Sequence, residues 1–144
     1  MSEMPPDFAP RERSAYRAWT RIPVRFGDQD VLGHVNNAAI AAYFEHARCE
    51  HLIPRVISPD WPALNIVLAR IVIDYVSEIR YPATVDVGVR ITRYGNKSFV
   101  ISAGAFTGET CCATADATIV FFDTVARQSM VPPPAVRSAI ETLR

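Results

Sequence analysis

Residues 37–53 read NAAIAAYFEHARCEHLI, a run without glycine or proline that follows one asparagine, opens on a second and stops at Pro54. Alanine-rich helix formers behind a residue able to cap predict an α-helix, about 25 Å long at 1.5 Å per residue. Ala39, Ile40, Tyr43, Phe44 and Ala47 recur at helical spacing and give it a broad apolar face. A helix of that kind has to be covered by another layer, and the chain supplies a sheet. Residues 64–80, 84–94, 98–107 and 111–123 read as strands. The second is the clearest, because Val85, Val87, Val89 and Ile91 alternate with Asp86, Gly88, Arg90 and Thr92. The connections YPA, YGNK and TGET are turn-like, and neighbours joined so tightly must run antiparallel.

Upstream, residues 16–26 (YRAWTRIPVRF) predict a fifth, half-exposed strand, with Pro23 marking an edge or a bulge. Residues 134–143 open on the last of three prolines and predict a short terminal helix. The first fifteen residues lack apolar periodicity and read as a flexible arm. The expectation is one α+β domain over residues 16–144, with a five-stranded antiparallel sheet against one long helix.

A chain of 144 residues that is 49% hydrophobic can build one core. Its 15 Lys and Arg balance 15 Asp and Glu, so no overall field favours nucleic acid or an anionic membrane. No secretory pattern opens the sequence and no apolar run is long enough to span a bilayer, which predicts a cytoplasmic protein. Cys49, Cys111 and Cys112 lack CxxC spacing and read as reduced, mostly buried thiols; the adjacent pair on a strand points to opposite faces. His46 and Glu50 are one helical turn apart, but with no HExxH and no third ligand they read as a helix face and no metal is expected. GxGxxG and GxxxxGK[ST] are absent.

The chemistry-bearing segment is residues 25–48, RFGDQDVLGHVNNAAIAAYFEHAR. It places carboxylates, a glycine, a histidine and two asparagines in a tight loop that feeds the N-terminus of the long helix. N–H groups there have no intrahelical acceptor and carry partial positive charge, so they can hold a developing oxyanion. Asp30 can then act as a nucleophile or as a general base on water. Taken alone, Asp30 reads first as an Asx-turn residue and Asp28 as a turn or cap residue, while His34 reads equally as satisfying a loop carbonyl. Asn36 and Asn37 read as helix caps, a role compatible with catalysis through main-chain N–H.

Asp28, Asp30, Gly33, His34, Val35, Asn36, Asn37, Tyr43, Glu45 and Arg48 resemble the DxDxxGHVNNxxYxxYxExAR pattern of the 4-hydroxybenzoyl-CoA thioesterase type of hotdog proteins, with Ile40 standing where that pattern has its first tyrosine. The stretch IDYVSEIRYPATVDVGVRITRYGNKSF is similar to the same family's downstream strands. The resemblance implies a hotdog fold, a sheet wrapped around one central helix, and hydrolysis of an acyl-coenzyme A thioester without a cofactor. It implies Asp30 as the catalytic carboxylate, Asn37 N–H in the oxyanion site and His34 at the acyl pocket or ordering water. Gly33, Val35, Asn36 and Tyr43 would line the substrate. Lys97 and Ser98, with Arg90 and Arg93 nearby, could meet the coenzyme A phosphates. It further implies a homodimer or homotetramer whose sheets join edge to edge, with part of each site supplied by the other copy near residues 65–73. An acyl carrier protein thioester is the alternative substrate. A non-catalytic acyl-thioester-binding protein and an enoyl-thioester hydratase or dehydratase are the alternative functions.

Overall fold

A computed structural model describes all residues, 1–144. The long helix α1 spans Asn37–Val56. The strands are β1 (Ala18–Pro23), β2 (Leu64–Tyr75), β3 (Thr84–Tyr94), β4 (Ser98–Thr107), β5 (Thr110–Asp123) and β6 (Gln128–Ser129), and α2 (Pro134–Glu141) closes the chain. The sheet runs β1-β3-β4-β5-β2, every pairing antiparallel, and curls round α1. The expected architecture is therefore present, with one addition: β6 pairs the end of β5 beyond the point where β4 begins.

Three elements depart most from their expected bounds. The helix runs past Pro54 to Val56, because Pro54 is exposed and interrupts only one intrahelical bond. The second strand ends at Tyr75, not near residue 80: Val76 and Ser77 both donate their N–H to the Cys112 carbonyl, and the backbone turns off the sheet. The first strand is shorter at both ends, since Tyr16 turns in over the sheet and Phe26 begins a single 3-10 turn. Pro23 sits at the last position of an edge strand, where its missing donor costs nothing.

The core lies between α1 and the concave face. Phe44, Ala47, Leu52 and Val56 from the helix meet Val85, Val87, Val89 and Ile91 of β3, and Phe99 and Phe121 from β4 and β5. The opposite face is not open. Residues 1–15 lie across it: Ser2 N–H donates to the Tyr94 carbonyl, Phe8 packs edge-on against Tyr16, and the Tyr16 hydroxyl donates to the Pro10 carbonyl. Arg90, alternating out of the core, is buried here between the Asp7 carboxylate and the Ala15 carbonyl, each at 3.4 Å. It is thereby withdrawn from any phosphate. Cys112 joins the main core and Cys111 the cluster beneath Tyr16, on opposite faces, and burial pushes the Cys111 thiol up.

The Tyr16 ring is admitted by a glycine pair, Gly88 opposite Gly104. A Cβ on Gly104 would stand 2.6 Å from the Tyr16 hydroxyl oxygen and 2.7 Å from Phe106 Cε2. Gly104→Ala is expected to cost about 1–3 kcal/mol through overpacking, read as a lower urea midpoint with unchanged slope. An unchanged midpoint would mean that the segment is not held against the sheet.

Candidate active site

The loop between β1 and α1 is built around Asp28. Its carboxylate accepts from the Arg25 N–H at 2.9 Å, from Arg25 Nε and Nη2 at 3.1 and 2.9 Å, and from the Tyr43 hydroxyl at 2.5 Å. Burial alone would raise the Asp28 carboxyl, but the bonds from Tyr43 and Arg25 and the Arg25 charge outweigh it and hold it below the usual range. Burial and the facing carboxylate push the Tyr43 phenol above its ordinary value. Asp28 thus has the turn-capping place expected of it, and it also fastens the loop to the second turn of α1. Tyr43 reaches the site only through this bond.

Asp28→Asn keeps the shape but loses the charge-assisted bonds, an expected loss of about 1–3 kcal/mol at pH 7. A carboxyl depressed on folding stabilises above its unfolded value near pH 4 and ceases to do so as the pH falls through its folded value. The gap in Tm between wild type and variant should therefore close below about pH 4. A gap independent of pH would remove the charge from this account.

Beyond Asp28 the chain makes a tight reversal. Gln29 bridges Val35, the Asp30 N–H donates to the His34 carbonyl at 2.9 Å, and the Asp30 carbonyl accepts from the Gly33 N–H at 3.1 Å. Gly33 sits at φ +80°, a conformation that suits glycine. One carboxylate oxygen of Asp30 accepts from the Leu32 N–H at 2.9 Å, an Asx turn, and the other has no partner in the chain. The buried Val35 donates to the Ile79 carbonyl, pinning the loop to the segment after β2. The Asn36 side chain caps α1 by accepting from the Ala38 N–H at 2.8 Å. Asn37 is the first helical residue; its N–H has no intrahelical acceptor and takes none from the loop. Its carbonyl accepts from the Tyr75 hydroxyl at 3.2 Å, which ties the helix start to the end of β2.

A cleft of about 300 Å³ opens beside that helix start, lined by His34, Val35, Asn37, Ile40, Tyr75 and Glu78, among others. Of the residues singled out from sequence, His34, Val35 and Asn37 meet there. Asp30 and Gly33 border a more open depression of about 550 Å³ with Phe26 and Val31. Lys97 and Ser98 are not brought to either place within one chain: Ser98 pairs Val120, beside the start of β2, whereas the loop sits at its far end. Glu50 and His51 turn to the Thr20 hydroxyl on β1, and His46 is exposed.

Sequence reasoning misses Glu78 and Arg80. The His34 Nε2 lies 2.6 Å from Glu78 Oε2, and Arg80 holds the other Glu78 oxygen at 2.9 Å. By pattern they continue a strand; the early turn at Tyr75 carries them to the loop instead.

Residues 24–140 match the family described as the Thioesterase-like superfamily. No curated protein matches. Among solved structures, the chain is similar to a thioesterase from Thermus thermophilus complexed with coenzyme A and Zn, at 32% identity and TM-score 0.77 over 89% of this chain and 94% of that one. It is similar to the PA5185 protein of Pseudomonas aeruginosa, at 26% identity and TM-score 0.83 over 92% and 95%. The probable thioesterase YbaW of Escherichia coli aligns at 25% identity and TM-score 0.76 over 87% and 97%.

Proposed function

The chain belongs to the Thioesterase-like superfamily, and from that membership together with the loop geometry we propose that it hydrolyses an acyl-coenzyme A thioester to the carboxylic acid and free coenzyme A. The observation that carries this reading is the unsatisfied N–H of Asn37 at the start of α1, a residue that lines a cleft of about 300 Å³ one short loop away from a carboxylate oxygen with no partner. A thioester carbonyl placed at that N–H develops its negative charge against the positive end of the helix. Asp30 then attacks the acyl carbon, or directs a water to it. The thiolate is a good leaving group, so the chemistry asks for no metal or redox cofactor. The similar solved thioesterase complexed with coenzyme A and Zn supports the choice of carrier.

In a single chain Asp30 and the Asn37 cleft open separately, and Phe26, Val31 and Leu32 stand 75%, 102% and 72% exposed around the carboxylate. Apolar side chains so exposed at a reactive group favour a second copy closing over the loop, so the proposed working form is a homodimer with shared sites. A cytoplasmic location goes with this reading.

The direct test is thiol release from a panel of aromatic, branched and straight-chain acyl-coenzyme A thioesters by the purified protein. Release from a subset supports the proposal and names the acyl class. Absence of release with retained binding points to an acyl-binding protein, and water addition to an enoyl thioester without release points to a hydratase.

A further inference from the structure

We propose that Tyr43 is a positioning residue for thioester cleavage: acting through Asp28, its hydroxyl holds the Asp30 arm of the loop at a fixed place on α1, a role that rests on the function read above. Residues 28–36 fold back as two short arms. The Asn36 N–H donates to the Asp28 carbonyl at 2.8 Å, Gln29 bridges Val35, and the Asp30 N–H donates to the His34 carbonyl at 2.9 Å. The arm that leads into the helix is pinned by its buried Val35, whose N–H donates to the Ile79 carbonyl at 2.8 Å. The arm that bears Asp30 has a different tether. From residues 25–32, the one hydrogen bond to anything outside the loop is the bond that the Asp28 carboxylate accepts from the Tyr43 hydroxyl at 2.5 Å.

Tyr43 suits this duty because its ring is buried in the main core and cannot swing. It stands about 9 Å along α1 from Asn37, six residues at 1.5 Å each. The loop is therefore fastened to the helix at a second point, away from the covalent join at Asn36 and Asn37. A loop joined at one point hinges there; joined at two, it keeps its angle. Tyr43 does not line the Asn37 cleft. It borders a separate groove of about 380 Å³, with Ile22, Pro23, Arg25 and His46 between α1 and β1, so it acts through Asp28.

The test compares the full-length wild type with Tyr43→Phe, which keeps the buried ring and leaves Asp28 its three bonds from Arg25. Thiol release should show kcat down about tenfold to 10²-fold, the cost of displacing a reacting group by about an ångström, with KM within about twofold. Amide exchange should quicken more at Asp30 and Asn36 than in β3 and β4. In an Asp28→Asn background the same change should cost less than in wild type, because the acceptor it works through is already altered. Gly104→Ala, destabilised on the far face of the sheet, should keep the wild-type kcat. Wild-type kcat in Tyr43→Phe overturns the proposal, as does an equal fall in both backgrounds or the same fall in Gly104→Ala. A wild type that cleaves no thioester overturns the functional reading and the positioning role together, an outcome distinct from an active wild type beside an equally active Tyr43→Phe.

Discussion

Asp30→Asn and Asp30→Ala are expected to lower kcat for thiol release by about 10²- to 10⁴-fold, the range lost when a positioned base or nucleophile is removed. The pair is chosen because Asp30 has a structural duty too. One of its oxygens accepts from the Leu32 N–H and holds the reversal that ends at the helix cap. Asparagine keeps an oxygen in that place and so preserves the Asx turn, but it has no second carboxylate oxygen to attack with or to take a proton. Alanine removes both. A turnover defect of equal size in the two variants, each with wild-type thermal unfolding, assigns Asp30 to the chemical step. An Asn variant with wild-type turnover beside a crippled Ala variant would reduce Asp30 to a turn residue and move the reaction to other groups of the cleft. Burst kinetics with accumulation of an acyl-enzyme would further separate attack by the carboxylate from attack by water.

Elements with strong local signals are legible from sequence. The span of β3 and β4 and the start of α1 follow from two-residue alternation, from the YGNK turn and from an asparagine cap, each of which is settled by neighbours in sequence. What sequence does not supply is set by contacts between distant segments. Arg90 alternates with core valines and reads as a cation open to a phosphate, yet Asp7 and Phe8 fold over it from the other end of the chain. The N-terminal segment looks featureless because its anchors, Phe8 and Tyr16, follow no period; the Gly88 and Gly104 slot that receives Tyr16 is the available signal. Within the site, the Asp28 to Tyr43 bond joins a turn to a helix face across fifteen residues, and the meeting of His34 with Glu78 depends on where β2 ends. Asp30 is legible as a polar turn residue; its catalytic assignment comes from the family pattern.

The other large effect is expected at β2. It is a twelve-residue edge strand with Val67, Leu68, Ile71, Val72 and Tyr75 all at least 36% exposed. A long apolar edge is a template for pairing, and a strand that pairs with its own copy about a two-fold axis does so antiparallel, extending the sheet across both subunits. Arg48 argues for the same partner. Its side chain is 8% exposed, its nearest carboxylate oxygen, from Glu45, is 3.8 Å away, and no hydrogen bond in the chain satisfies it. It borders a groove of about 190 Å³ with Cys49, Ile66 and Leu68 at this edge. Burial lowers the guanidinium from its ordinary value, a cost that acceptors from a second copy would offset. Pairing of this kind would set the start of the partner's β2, near Asn65, beside the end of β2 at Tyr75, close to the cleft. The double variant Val67→Lys, Val72→Lys places like charges along the paired edge. It is expected to sediment as a monomer and to lose about 10²-fold or more in kcat/KM, because a site closed by another copy is not assembled in one chain. Wild type that is already monomeric and active, or a monomeric variant with full activity, would show that each chain carries a complete site and that the exposed loop around Asp30 closes without help.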